Sequence, residues 1–317
     1  MSVKIPQHET GNVAENSMGG TELTSLGLFS RLPDDLKDGF DWVISRYEKE
    51  LEGKKPALYW VHDLPQDPMH DHLKEIGGID KFEKIIFSSH WHMQMFKAYL
   101  QVPYHKSIVM KTAIDTIPEH KKPKDEGKLR LAYFSTPQRG LDVLLTALEM
   151  LDRDDFVLDV YSSFKLYGWE KNDEPYKPLF ERCEELEYVN YIGTVPHKEM
   201  LNVLKKSHIL AYPSTWEETS CRVAMEAMSA KMAIVAPNYG ALPETCTDYS
   251  FMYQWDERKL EHAEAFADVL EDVLDSYWED ETQEILSHQK WYADTYYSWD
   301  YRIDKWIDFL VHLKEKS

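Results

Sequence analysis

HILAYPSTWEETSCRVAMEAMSAKMAIVAPNYGALPE, residues 208–244, is the stretch on which the fold turns. Four apolar residues, Ile209–Tyr212, are followed by a polar loop, and apolar positions then recur at helical spacing over Ser220–Ser229. A second apolar run, Ala233–Ala236, closes the segment. Strand, helix and strand within about 30 residues is the signature of a parallel βαβ unit. In open sheets of such units a ligand binds outside the carboxyl ends of the strands. The loop at Pro213–Cys221 is therefore the first place to look for chemistry.

Working outward, the same alternation runs through the chain. Strands are predicted at Trp42–Ser45, Ala57–Val61, Lys84–Ser88 and Ser107–Met110, with helices at Thr21–Arg31, Met69–Ile76 and His90–Leu100. After a charged, proline-bearing stretch from Thr112 to Gly127, read as a linker, a second series begins. It comprises strand Leu129–Phe134, helix Gly140–Leu151, strands Phe156–Tyr161 and Tyr188–Ile192, helix His197–Lys205, and then the unit quoted above. The fold class this implies is α/β, with two Rossmann-like doubly wound lobes facing across a cleft. The boundaries are residues 1–123 for the first lobe and 124–299 for the second, with a helix around 300–317 packing back on the first. From Asp256 the chain reads as helices, acidic to Glu284 and then aromatic in WYADTYYSWDYRIDKW.

The composition sets outer limits. With 317 residues there is chain for two cores, and 43% hydrophobic content argues against disorder. The net charge of −20, nearly all of it after residue 123, leaves no basic face for a nucleic-acid backbone, so an anionic ligand must be held by local donors. Cys183, Cys221 and Cys246 are widely spaced and form no CxxC pair, which supports neither a disulfide framework nor a thiolate zinc site. The opening MSVKIPQHETGNVAEN lacks an apolar core of the kind a secretory signal carries, and no run approaches membrane-spanning length. A cytoplasmic protein is expected, with peripheral membrane contact compatible.

Within the loop and helix, Glu218 and Glu226 are separated by seven residues, one at the helix mouth and one in its second turn. Carboxylates so placed suit an elongated polyol, since each accepts two hydroxyl hydrogen bonds. Thr219, Ser220 and Cys221 are expected to bring backbone N–H groups to the helix N-terminus, where a phosphate is well accommodated. Gly19 and Gly20 precede a helical stretch and can expose amides in the same manner. In YFSTPQRG, residues 133–140, Arg139 offers a planar fork of donors, with Ser135 and Thr136 just before it. His62 follows ALYWV at a strand's carboxyl end. Walker-type GxxxxGK[ST], GxGxxG and GxSxG patterns are absent. The HDH at His70–His72 and the DxD at Asp152–Asp154 read as structural, so no metal site is expected.

The segment around Glu218 and Glu226 resembles the E-x7-E region of retaining glycosyltransferases of family 4, which have the GT-B fold. GGTE at Gly19–Glu22, SSH at Ser88–His90, MKTAID at Met110–Asp115, QRG at Gln138–Gly140 and GTVP at Gly193–Pro196 agree in order. The resemblance implies that His62, Glu218 and Arg139 serve catalysis. It implies that Gly19, Gly20, Ser135, Thr136, Arg139, Val195, Thr219, Ser220, Cys221, Val223 and Glu226 bind the donor. Glu218 would contact the sugar, Glu226 the ribose and Val195 the base. The implied activity is transfer of a sugar from a nucleotide diphosphate sugar, a UDP- or GDP-sugar, to a hydroxyl on a glycan, lipid-linked or small-molecule acceptor, with no obligatory cofactor. A sugar-nucleotide epimerase or phosphorylase, or a non-catalytic nucleotide-sugar binder, would share these features. The sequence departs from the family upstream of Gly19, where the usual long first strand is reduced to Val3–Ile5, and at Ser135–Thr136, where a second cation is usual.

Overall fold

The computed structural model describes residues 19–47, 51, 53–124 and 127–316. The short strand expected at Val3–Ile5 lies outside the described residues. The described residues divide into two compact units: one holds those of 20–115 with 296–316, the other Gly19 with those of 116–295.

The first unit contains α1 (Gly20–Phe29), α2 (Asp34–Lys37), β1 (Asp41–Ile44), β2 (Ala57–Trp60), β3 (Lys84–Phe87), α3 (His90–Leu100) and β4 (Ser107–Val109). The four strands lie parallel in the order β1-β2-β3-β4. Because side chains alternate across a strand, the two faces separate cleanly. Trp42, Ile44, Leu58, Trp60 and Ile86 share one core with Phe29, Leu36, Trp306, Leu310 and Leu313. Val43, Tyr59, Val61, Ile85 and Phe87 share the other with Phe96 and Leu100. α3 runs over the residues its pattern predicts because Ser89 caps it, accepting from His92 N–H at 2.9 Å. The helix predicted at Met69–Ile76 is instead a 3₁₀ segment, Pro68–Lys74, capped by Asp67.

The second unit contains β5 (Leu129–Phe134), α4 (Leu141–Met150), β6 (Phe156–Tyr161), α5 (Lys177–Glu185), β7 (Val189–Tyr191), α6 (His197–Lys206), β8 (Ile209–Ala211), α7 (Arg222–Ser229), β9 (Ala233–Pro237), α8 (Leu242–Cys246), β10 (Phe251–Tyr253), α9 (Lys259–Ser276) and α10 (Asp280–Tyr296). α11 (Trp299–Lys316) then returns to the first unit, burying Trp299, Trp306, Leu310 and Leu313 in its core. The second sheet is parallel, in the order β10-β9-β8-β5-β6-β7. Chain order runs outward from β5 through β6 to β7, then from β8 to β10 on the other side. The direction of winding therefore reverses between β5 and β8, which makes that gap the switch point of the sheet.

The Thr112–Gly127 stretch is not a free linker over its described residues. Ile114 N–H donates to Tyr297 O at 2.8 Å in the first unit, and Ile117 N–H donates to Ser229 Oγ at 2.7 Å in the second. Further along, Lys122 Nζ donates to Leu204 O at 2.8 Å and also to Ser207 O at the end of α6. The docking uses backbone carbonyls and the Ser229 hydroxyl, which no composition reveals. Burial, with the Lys290 charge nearby, pushes the Lys122 ammonium down to about 7. An unfolded lysine titrates near 10.4. Between those values the unfolded chain binds more protons than the folded one, so this group makes stability rise with pH in that window. Urea unfolding at pH 7 and pH 9 should show that rise in the wild type and a flatter response in Lys122→Met. Equal slopes would contradict it.

Candidate active site

Arg139 follows β5 and Glu218 follows β8, so the two flank the switch point. They meet there: Arg139 Nη1 donates to Glu218 Oε1 at 2.7 Å, and Tyr212 Oη donates to the same oxygen at 2.6 Å. Glu218 is 6% exposed. Burial alone would lower the Arg139 pKa, but Glu218 and Tyr212 beside it hold the guanidinium above its ordinary value. Burial and the Glu218 charge push the Tyr212 phenol well above its usual range, so it stays a donor. Trp216 lies with its ring centroid 5.4 Å from the Arg139 guanidinium carbon. Its backbone is clamped through Ser214 Oγ, which accepts from Trp216 N–H at 3.2 Å and donates to Trp216 O at 3.1 Å.

The turn carrying Arg139 is locked by its neighbours. Tyr133 Oη donates to Thr136 O at 2.9 Å, and Thr215 Oγ1 donates to Gln138 O at 2.9 Å. Gly140 has φ +121° and presses on Pro213 O, where a Cβ would lie only 2.1 Å away. Three buried polar atoms of this turn, Thr136 Oγ1, Gln138 Oε1 and Arg139 Nε, have no hydrogen-bond partner among the described residues. Buried polar atoms are normally satisfied, so three on one turn at a switch point make that turn a candidate place for a polar ligand.

α7 begins at Arg222 with Cys221 as its cap, two residues later than expected. The first intrahelical bond runs from Met225 N–H to Cys221 O at 3.2 Å, while the loop before it is tied down by Ala241 N–H donating to Glu218 O at 2.7 Å. Thr219, Ser220 and Cys221 accordingly precede the helix, and the leading helical amides belong to Arg222 and Val223. Burial pushes the Cys221 thiol well above its ordinary value, leaving it a packing residue.

Glu226, 3% exposed, lies in the second turn of α7. Its Oε1 accepts from His197 Nε2 at 2.8 Å and is ion-paired with Arg222 Nε at 2.8 Å. Burial would raise this carboxyl, but Arg222 and His197 outweigh it and hold it below the ordinary carboxylate range. Val195 is half-buried in the turn after β7 that leads to His197, and Gly193 there has φ +79°. Ser135 is half-buried at the end of β5.

In the first unit, Gly20 opens α1 with open space where a side chain would stand, and Gly19 directly precedes it. His62 lies two residues past the end of β2, its ring 4.8 Å from that of Trp60. His70 Nδ1 hydrogen-bonds Tyr59 Oη at 2.7 Å, and His72 Nδ1 bonds Met69 O at 2.9 Å. Among the described residues no group of three or more His, Cys, Asp or Glu side chains is arranged to hold a metal. Asp152 and Asp154 are exposed in the turn before β6, at the edge opposite the strand ends that carry Arg139 and Glu218.

Residues 116–289, more than half of the chain, match the family described as glycosyl transferases group 1. The chain belongs to that family. It is thus a glycosyltransferase, and no curated protein matches it in sequence. Its fold is GT-B, two Rossmann-like α/β lobes. A glycosyltransferase from Rickettsia africae is 16% identical with a TM-score of 0.67, the match covering 83% of this chain and 72% of that one. Anabaena HepE, solved in complex with UDP, is also 16% identical at 0.67, covering 82% and 73%. The sucrose-phosphate synthase of Thermosynechococcus elongatus is 13% identical at 0.66, covering 84% and 70%. Tyr212, Arg222, His197 and Trp216 are parts of this glycosyltransferase's candidate site that sequence reasoning missed.

Proposed function

We propose that this glycosyltransferase takes a sugar from a nucleoside diphosphate sugar, a UDP- or GDP-sugar, and transfers it to an acceptor hydroxyl with retention at the anomeric carbon. The observation that carries the reading is the Arg139–Glu218 pair astride the switch point, beside a turn with unsatisfied polar atoms. A diphosphate draws on the remaining guanidinium donors of Arg139, the Thr136 hydroxyl and the amides opening α7. Glu218 then accepts from sugar hydroxyls and Glu226 from the ribose, while Val195 borders the base. HepE, which shares the fold, has been solved with UDP-glucose, and that supports the choice of donor class.

The acceptor oxygen bonds to the anomeric carbon as the bond from that carbon to the phosphate oxygen breaks. The acceptor proton passes to the departing phosphate. Negative charge grows on that phosphate, where Arg139 is fixed in advance to meet it. This route needs no side-chain nucleophile; burial keeps the Cys221 thiol and the Tyr212 phenol protonated, and Glu218 is assigned to the sugar hydroxyls.

A calorimetric screen of UDP- and GDP-sugars tests the first step, and a wild type that binds none of them ends this reading. Glu218→Ala should leave free UDP binding at least as tight, because Arg139 loses a competing carboxylate. The intact UDP-sugar should bind about tenfold to a hundredfold more weakly, the effect of losing hydrogen bonds to a charged group. Equal weakening of both ligands would show that Glu218 does not read the sugar.

A further inference from the structure

Glu226 is gripped from two elements. Arg222 lies one turn earlier on the same helix and moves with it, whereas His197 is the first residue of α6, 29 positions away in sequence. Both act on the same oxygen, Oε1. The carboxyl, held below its ordinary range, is ionised at neutral pH, so Nε2 of His197 carries the proton and donates. Each carboxylate oxygen has two acceptor sites; on Oε1 one takes the His197 hydrogen bond, and the Arg222 charge lies 2.8 Å from the same oxygen.

We propose that His197 is a positioning residue that fixes the rotation of the Glu226 carboxylate and aims Oε2 at a vicinal diol, the 2′- and 3′-hydroxyls of a ribose. The two acceptor sites of Oε2 match two adjacent hydroxyls, so the site selects ribonucleotides over 2′-deoxyribonucleotides. Without His197 the carboxylate is oriented only by a neighbour on its own helix, and either oxygen can turn toward Arg222. The preference for the diol then fades. The inference rests on the donor reading given above, and it adds the residue that sets sugar discrimination in the nucleoside.

The experiment measures calorimetric affinities of UDP and 2′-deoxy-UDP, or the guanosine pair if that base is preferred, on the full chain. The wild type should favour the ribonucleotide by about tenfold to a hundredfold. In His197→Ala that ratio should fall to about threefold or less, through weaker ribonucleotide binding with the deoxy form nearly unmoved. His197→Gln, which keeps an N–H donor, should restore most of the ratio. Glu226→Gln, which keeps the shape but not the charge, should lose it. A histidine that merely supports α6 would weaken both nucleotides alike, so an unmoved ratio in His197→Ala overturns the proposal. A wild type that binds neither nucleotide instead sinks the donor reading itself.

Discussion

Arg139→Met should slow turnover of the nucleotide sugar by about 10²–10³, the usual consequence of removing one donor aimed at developing negative charge. Methionine fills similar length without a guanidinium, so the packing against Trp216 is largely kept. The damage is compounded on the other side of the pair. Glu218, 6% exposed, keeps only Tyr212 as a donor to Oε1 among the contacts described above, and leaving a buried charge uncompensated costs about 3–5 kcal/mol. Release of nucleoside diphosphate, followed with or without an acceptor, reads the effect. Turnover within threefold of wild type would place the diphosphate elsewhere. Glu218→Gln in the same background should recover stability but not activity, because it removes the stranded charge without returning the cation.

Gly140→Ala should lower stability by about 2–5 kcal/mol, from a side chain forced to positive φ and from overlap with a backbone carbonyl. The contact is with Pro213 O at 2.1 Å from the added carbon, and backbone cannot rotate away as a flexible side chain can. For a unit of this size that is a fall of roughly 5–15 °C in the unfolding midpoint. Gly168→Ala provides the control, since Gly168 also has positive φ (+72°) but nothing within 4 Å of an added carbon. It should cost only the backbone part, about 1 kcal/mol. Similar losses in both variants would show that the β5 and β8 loops can separate at this point.

Much of the architecture is written locally, in signals of the right range. β5, β6 and α3 occupy the residues their patterns predict, because a run of buried apolar residues or a Ser89 cap leaves little room to slide. α5 went unread because Lys177–Glu185 follows a stretch with Pro175 and many charges, and only Phe180 and Cys183 of its residues are buried. β10 is three residues long and only half-covered, too little for a period to show. At the site, Arg139 and Glu218 stood out by position after strands, and Glu226 by its spacing from Glu218. Their partners did not, since Arg139 and Glu218 meet across 79 residues and His197 reaches Glu226 across 29. Such pairings are products of sheet order, which the switch between β5 and β8 determines.

The first unit draws its core from both ends of the described chain, with the whole of the second unit strung between. On the ribosome, residues 20–115 therefore emerge with Trp42, Trp60 and Phe29 lacking the helix that covers them, and must wait while 180 further residues are made. The second unit, uninterrupted over 116–295, can complete its fold first. Until α11 arrives, the half-built sheet presents apolar surface to any chaperone or neighbouring nascent chain. Truncations within the last 18 helical residues should thus be felt first as aggregation during synthesis rather than as a damaged ligand site.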